Sequence, residues 1–113
     1  MTIWHFGNAD EDGQERRGWF LGRFMPEDDV RRSDDVEVKW GGHPKGQHRD
    51  SWQDDEKRTT LLILVKGRFR IDLSVASHVL SHPGDYATWG PGIGHSWQAE
   101  EDSVVITVRW PSV

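Results

Sequence analysis

Short apolar stretches separated by glycine and proline turns are the feature that most restricts how this chain can fold. Residues 36–40 and 69–73 alternate apolar and polar side chains with a period of two, which is the pattern of a strand with one buried face. No segment repeats apolar residues at helical spacing over three turns, so few or no helices are expected. The pattern predicts an all-β fold, a small antiparallel sandwich or barrel of two sheets.

The remaining strands are predicted from apolar runs bounded by turn residues. These runs lie at residues 19–24, 61–65, 85–89, 95–98 and 104–110. Residues 61–73 are interpreted as one hairpin, with its turn at Lys66 and Gly67. Residues 41–56 carry turn residues without an apolar period, which predicts a long loop or an irregular sheet edge. A loop of that length usually has a function.

The length and charge of the chain restrict its class. A chain of 113 residues predicts a single domain, with residues 1–17 as a polar N-terminal segment before a domain over residues 18–113. The net charge is −5 and the basic residues are scattered, so no nucleic-acid partner is expected. The longest aliphatic run is residues 61–65, far below the roughly 20 residues of a membrane helix. Without a visible secretory signal, a cytoplasmic protein with no membrane partner is expected.

Residues 84–95 resemble the second signature of the cupin superfamily. That signature has a glycine, usually followed by aspartate, then a short strand and the sequence Pro-Gly-x-x-His. Here Gly84-Asp85 is followed by Pro91-Gly92-Ile93-Gly94-His95, with the family's spacing of eleven residues between the glycine and the histidine. The hairpin predicted at residues 61–73 resembles the one that closes the first signature, with its glycine at Gly67.

The resemblance covers residues 61–110, about half of the chain, and implies a fold. It is that of a small, single-domain bacterial cupin, a jelly-roll-like barrel of two antiparallel sheets. Cupins that bind a metal generally take two histidines and a carboxylate from the first signature and one histidine from the second. The first-signature positions fall here on Asp54, Glu56 and Thr60. Only His95 therefore matches a ligand of the family.

Three histidines near the predicted turns are candidate metal ligands: His43, His48 and His95. Neutral imidazoles bind transition metals, and three on one ion would leave positions open for water or substrate. One divalent transition metal (iron, zinc, nickel or manganese) is therefore the candidate cofactor, with a carboxylate from residues 54–56 as a further ligand. The alternative is that His43 and His48 are solvated loop residues, because a separation of five residues is no recognised ligand spacing.

His95 is the leading candidate for catalysis. At the start of a strand it would share a face with Trp97, because side chains alternate along a strand. Without a metal, His95 or His43 could act as a general base or acid, with Tyr86 as a companion in proton transfer. The alternative is a histidine at a strand start that hydrogen-bonds to a backbone carbonyl.

Side chains suited to holding a small molecule lie near the same turns. Tryptophan can stack on a ring or a sugar, and arginine or lysine can bind a carboxylate or phosphate. The candidates are Trp40, Trp89, Trp97, Lys39 and Arg23, with Arg109 as a further cation. Filling of a small core explains the tryptophans equally well.

Two functions stay open from the sequence. The first is a small-molecule enzyme of the cupin type, with or without a metal, whose site inside the barrel is centred on a histidine. The second is a non-catalytic cupin module that binds a small ligand in a metal-free pocket lined by tryptophan. Because a small barrel with spare outer apolar surface commonly dimerises, a homodimer is expected in either case.

Overall fold

Two antiparallel β-sheets form the molecule, which a computed structural model describes over residues 3–53 and 56–113. The strands within these ranges are β1 (Trp19–Leu21), β2 (Glu37–His43), β3 (Thr59–Lys66), β4 (Phe69–Leu73), β5 (Ser77–Leu80), β6 (Tyr86–Trp89), β7 (His95–Ala99) and β8 (Ser103–Trp110). One sheet has the strand order β1-β2-β8-β3-β6, and the other has the order β5-β4-β7. The all-β prediction is confirmed.

The core lies between the two sheets. In β3 the inward positions Thr60, Leu62 and Leu64 are buried, and the positions between them are only partly covered. The alternation seen in the sequence is therefore the alternation of the strand. The buried apolar residues are Leu62, Leu64, Phe69, Ile71, Leu80, Trp89, Ala99 and Val105.

The hairpin predicted at residues 61–73 does not form. Strand β3 pairs with β6 and β8, whereas β4 pairs with β5 and β7, so the chain passes from one sheet to the other at Gly67. This glycine has a φ of +99°, and a Cβ there would collide with the backbone of Asp102 and Ser103. Only glycine accepts both the positive φ and the close approach. The turn was predicted correctly, but its strands lie in different sheets.

Strand β2 has the predicted period of two, with its charged face turned inward. Glu37 is 3% exposed and lies opposite Arg109 in the register with β8, while Lys39 lies opposite Thr107. Trp40 therefore points to the outside of the barrel. The charges can be inside because guanidinium groups from other parts of the chain compensate Glu37.

The long segment between β2 and β3 forms an irregular edge along β7, as one of the two predictions stated. The backbone N–H groups of Gly46 and Arg49 donate to the carbonyls of Ala99 and Trp97 at 2.8 and 3.0 Å. Further along, His95 and Gln53 exchange two backbone hydrogen bonds of 3.1 Å. The segment thus lengthens the smaller sheet at the strand that carries His95.

Before β1 the chain forms a short helix α1 (Ala9–Asp12) and a 3-10 helix (Gln14–Arg16). Asn8 caps α1, because its side-chain oxygen accepts from the backbone N–H of Glu11 at 3.1 Å. Across the described ranges, neither of these short helices approaches the length and apolar character needed to cross a membrane.

Candidate functional site

A cavity of about 100 Å³ lies between the two sheets. Its walls combine indole rings, cationic groups, one carboxylate and one imidazole. The residues that line it are Trp19, Lys39, Arg49, Glu56, Thr60, Leu62, Ile71, Trp89, His95, Trp97, Thr107 and Arg109. Five of the predicted site residues are among them, namely Lys39, Trp89, His95, Trp97 and Arg109, and so is Glu56, one of the three candidate carboxylates.

The turn at residues 90–94 holds His95 at the cavity. Gly92 has a φ of +82°, which glycine adopts without strain, and its N–H donates to the Glu56 carbonyl at 2.9 Å. The His95 ring packs against Trp89 with 4.9 Å between centroids. The turn therefore reverses the chain between two strands and also places the imidazole on the inner wall.

The surroundings of His95 favour the neutral form of its imidazole. Burial lowers its pKa from the ordinary value of 6.5, and the positive charge of Arg49 lowers it further, while the Ile93 backbone acts in the opposite direction. Nη1 of Arg49 lies 3.5 Å from Nε2 of His95. Because a guanidinium has only donors, Nε2 presents its lone pair to Arg49 and the proton is assigned to Nδ1.

Arg49 is held at the cavity by its own backbone. Its N–H donates to the Trp97 carbonyl at 3.0 Å, and its carbonyl accepts from the Ser96 hydroxyl at 2.9 Å. Both partners lie on β7, the strand that begins with His95. The guanidinium and the imidazole are therefore anchored to one strand.

A compensated ion network borders the cavity. Arg58 donates to both carboxylate oxygens of Glu56 at 2.6 Å and to Glu37 at 3.0 Å. Arg109 donates to the other oxygen of Glu37 at 2.9 and 2.5 Å. The hydrogen bonds from Arg58 are the main reason that the pKa of Glu56 falls to about 2. Two carboxylates thus neutralise two guanidinium groups.

Lys39 and Arg49 are the remaining cations of the cavity. Neither has a carboxylate within ion-pair distance among residues 3–53 and 56–113. Nζ of Lys39 lies 5.7 Å from the centroid of the Trp19 ring. Its pKa is lowered, first by burial and then by the charges of Arg109, Arg49 and Arg17. The cavity therefore carries an excess of positive charge.

Two buried polar atoms at the cavity have no hydrogen-bond partner in the described part of the chain: Oγ1 of Thr60 and Nε1 of Trp89. Nδ1 of His95 is buried as well, and its neighbour is the Ile93 backbone. Thr60 and Trp89 lie directly opposite each other in β3 and β6. A buried polar group without a partner costs about 1–3 kcal/mol, so this cluster calls for a polar occupant of the cavity.

Three predicted site residues lie away from the cavity. Tyr86 is 63% exposed, because in β6 it is an outward position and Trp89 an inward one. Trp40 faces outward from β2. The side chain of Arg23 is 57% exposed, and its Nε lies 3.7 Å from Asp34. Tyr86 and Trp40 share one cause, since alternation along a strand does not say which face is inside. Arg23 lies in the turn after β1.

The candidate metal ligands do not converge. The His43 ring packs on Trp97 at 4.5 Å between centroids, and its Nδ1 lies 2.6 Å from the side-chain oxygen of Gln47. His48 lies on the surface, with Nε2 2.6 Å from the Asp50 carboxylate. Neither ring contacts His95.

The described residues do not fit a metal site. Outside residues 1, 2, 54 and 55, no group of three histidine or acidic side chains is placed to hold an ion. Both oxygens of the Glu56 carboxylate are bound by Arg58, and the neighbouring cations would repel a divalent ion. Asp54 and Asp55, predicted as carboxylate ligands, lie outside the described residues.

The cavity residues Trp19, Arg49 and Thr107 were absent from the predicted set, as were Glu37 and Arg58 of the ion network beside the cavity. Arg49 lies in a segment without an apolar period, so no pattern marked it as inward. Thr60 and Glu56 had a usable signal, because both fall on ligand positions of the first cupin signature and both line the cavity.

The architecture matches solved structures that share little sequence with this chain. KdgF from Halomonas sp. is 24% identical with a TM-score of 0.65, over 72% of this chain and 74% of its own. An RmlC-like cupin from Shewanella frigidimarina is 16% identical with a TM-score of 0.63, over 70% of this chain and 68% of its own. The chain has the cupin fold.

A third solved structure of the same fold is a cupin-superfamily sugar phosphate isomerase from Silicibacter pomeroyi. It is 17% identical with a TM-score of 0.57, and the match covers 67% of this chain and 50% of that one. No family model matches the sequence, and neither does any curated protein. The agreement with cupins is therefore one of fold, and the inner wall of the cupin barrel carries the evidence on function.

Proposed function

We propose that this cupin is a small-molecule enzyme in which His95 transfers a proton within the barrel cavity. The observation that carries the proposal is a neutral imidazole on the wall of an internal cavity that also holds partnerless polar atoms. An imidazole that is neutral near pH 7 can accept a proton at once. The turn at residues 90–94 holds the imidazole in place, so the proton in this proposal comes from a ligand atom next to that ring.

The reaction class that fits these groups is proton transfer next to a carbonyl. With the Arg49 guanidinium donating to the ligand, Nε2 of His95 takes a proton from the carbon, the electrons of the C–H bond move to the carbonyl oxygen as an enolate, and the imidazolium returns the proton at a neighbouring carbon. The charges of Lys39 and Arg49 stabilise the enolate. One protein of the same fold is a sugar phosphate isomerase, and this step is the kind of chemistry such an isomerase needs.

The proposed reaction uses side chains of the barrel and no metal ion. The donor set around His95 consists of cations and an arginine-bound carboxylate, which suits an anionic intermediate better than a metal ion. The enolate is therefore stabilised by the side chains of the barrel itself in this proposal.

The test is exchange of carbon-bound protons for deuterium, followed by proton NMR in D₂O after treatment with EDTA. The probes are dihydroxyacetone and erythrose, dihydroxyacetone phosphate, and the 2-oxo acids pyruvate and 2-oxoglutarate. We expect the wild type to speed exchange of at least one probe and His95→Gln to lose at least a hundredfold of that rate. The matched control is His78→Gln, since His78 is an exposed residue of β5.

Two results would overturn the proposal. In one, no probe exchanges faster with the wild type than with His95→Gln. In the other, a probe binds by calorimetry but its protons do not exchange, which identifies the non-catalytic binding module instead. The three tryptophans of the cavity would then serve as its contact surface.

A further inference from the structure

The described residues leave the cavity with an excess of positive charge. Glu37 and Glu56 neutralise Arg58 and Arg109, while Lys39 and Arg49 lack a carboxylate partner among the described residues. Placing two cations in one partly buried cavity costs free energy unless an anion joins them. The anion has to come from outside the described chain.

Arg49 is positioned for a ligand rather than for packing. Both of its backbone hydrogen bonds fix it on β7, and Nη1 of its guanidinium lies 3.5 Å from Nε2 of His95. A guanidinium offers five donors in a fixed fork. Most of those donors remain available on the cavity side.

Two further donors point to the same kind of ligand. The indole N–H of Trp89 and the hydroxyl of Thr60 belong to residues that are 6% and 3% exposed, and neither atom has a partner among the residues described. An indole N–H can only donate. An occupant that accepts hydrogen bonds and carries negative charge satisfies both the donors and the cations.

The size of the cavity selects among small anions. A volume of about 100 Å³ corresponds to roughly three water molecules, which is enough for a planar carboxylate and the carbon that bears it. A phosphate dianion would bring a second negative charge towards the ionised Glu56, which repels it more strongly than a carboxylate. The planar group matches the fork of one arginine.

We propose that the ligand of the barrel carries a carboxylate, which Arg49 and Lys39 bind while Trp89 and Thr60 donate to it. The inference rests on the proposed function, because it names the substrate class of the same cavity. Among the probes of that exchange experiment, it selects pyruvate, the smaller of the two 2-oxo acids. Arg49 is the residue that determines this specificity.

The test measures binding by isothermal calorimetry at pH 7 to pairs that differ only in charge, namely pyruvate against pyruvamide and acetate against acetamide, with inorganic phosphate as a third arm. We expect the carboxylate of each pair to bind at least tenfold more tightly. Arg49→Gln should remove that preference, and Arg49→Lys should restore part of it. Arg68→Gln is the matched control, because Arg68 pairs with Glu100 away from the cavity.

The outcomes separate this inference from the proposed function. If the amides bind as tightly as the acids, or phosphate binds more tightly than either acid, the carboxylate proposal is wrong even where His95-dependent exchange is found. If Arg49→Gln keeps the full preference, Arg49 is not the specificity residue. If acids bind in an Arg49-dependent way but no probe exchanges, the carboxylate inference stands and the catalytic proposal fails. Circular dichroism of each variant confirms that it is folded.

Discussion

Arg49 and His95 meet at the cavity although they come from different segments, with Nη1 of the arginine 3.5 Å from Nε2 of the imidazole. Both residues are anchored to β7, His95 as its first residue and Arg49 through the backbone of Trp97 and the hydroxyl of Ser96. The cation proposed to bind the ligand is therefore next to the proposed base. The predictions below use this pair and the groups around it.

Removal of the Arg49 charge should raise the pKa of His95. Burial lowers this pKa first and Arg49 second, so Arg49→Gln removes one cause and leaves the other. The measurement is a proton NMR titration of the imidazole Cε1 proton in the wild type and the variant. In Arg68→Gln the titration of His95 should be unaltered, and an unchanged pKa in Arg49→Gln would contradict the arrangement described here.

Loss of the Glu56 carboxylate should destabilise the protein at neutral pH. The pKa of Glu56 is about 2 in the folded state against 4.5 for the free side chain. Its ionised form therefore contributes stability that is fully present above about pH 4.5 and is lost as the pH falls towards 2. At about 1.4 kcal/mol per pKa unit this shift corresponds to at most about 3.5 kcal/mol. Solvent screening of the partly solvated carboxylate reduces that figure, so Glu56→Gln should cost roughly 1 to 3 kcal/mol at pH 7.

The check on Glu56 is urea unfolding between pH 2.5 and 7. The gap in the free energy of unfolding between the wild type and Glu56→Gln should narrow as the pH falls. Glu27→Gln, at an exposed position, supplies the comparison and should show no such gap. A constant difference across this pH range would show that the carboxylate is not held by Arg58 in the way the structure describes.

Replacement of Thr60 by valine should separate stability from binding. The buried hydroxyl has no partner in the described structure, so Thr60→Val removes an unsatisfied group and should leave the free energy of unfolding unchanged or raise it by about 1 kcal/mol. Carboxylate binding should weaken by about threefold to tenfold.

Thr88→Val is the matched variant for this prediction, since its hydroxyl donates to the Thr60 carbonyl at 2.9 Å. It should lose stability slightly and keep its affinity. Thermal unfolding and calorimetry measure the two quantities. A marked loss of stability in Thr60→Val would mean that the hydroxyl is satisfied in the free protein.

Metal retention should not depend on His43 or His48. His43 packs on Trp97 and Phe69, and His48 pairs with Asp50 on the surface. After incubation with zinc or nickel and gel filtration, elemental analysis should give the same metal content for His43→Ala, His48→Ala and the control His78→Ala. A stoichiometric loss in His43→Ala or His48→Ala alone would restore the metal site expected from the sequence.

Two copies of the chain are expected to associate through the outer face of the five-stranded sheet. Trp40, Ile106, Ile63 and Tyr86 lie side by side across β2, β8, β3 and β6, and they form an apolar row on that face. Ile63→Lys places a charge in the row and should shift the protein to a monomer in analytical ultracentrifugation.

Val75→Lys is the comparison for the association, because Val75 is 74% exposed between β4 and β5. That variant should sediment like the wild type. A wild type that sediments as a monomer at all concentrations would remove the expectation of a homodimer.

The sequence predicted the strands well because alternation and turn residues are local signals. It did not predict which face of β2 is inside, since Trp40 and Val38 look better suited to a core than Glu37 and Lys39. The charged face is tolerated because Arg58 and Arg109 reach Glu37 across 21 and 72 positions of sequence. Ion pairs between residues so far apart in the sequence produce no local sequence pattern.

In the candidate site, too, some residues could be located from the sequence and others could not. His95, Trp89 and Trp97 could be located because a Pro-Gly turn and a strand period place them. Arg49 could not be located, because its position depends on hydrogen bonds between an irregular segment and β7. Tyr86 and Trp40 lie on outer faces of their strands, which the sequence did not show, since a period of two defines two faces and does not rank them.

The irregular edge along β7 is built from main-chain hydrogen bonds, which do not depend on the identity of most side chains it carries. Substitutions at the exposed positions of residues 46–53 can therefore accumulate while the spacing between guanidinium and imidazole stays the same. An insertion of one residue there would turn the side chain at position 49 to the opposite face of the sheet edge, which would remove the guanidinium from the cavity. Ligand preference in this barrel therefore depends on the length of this segment more than on most of its side chains.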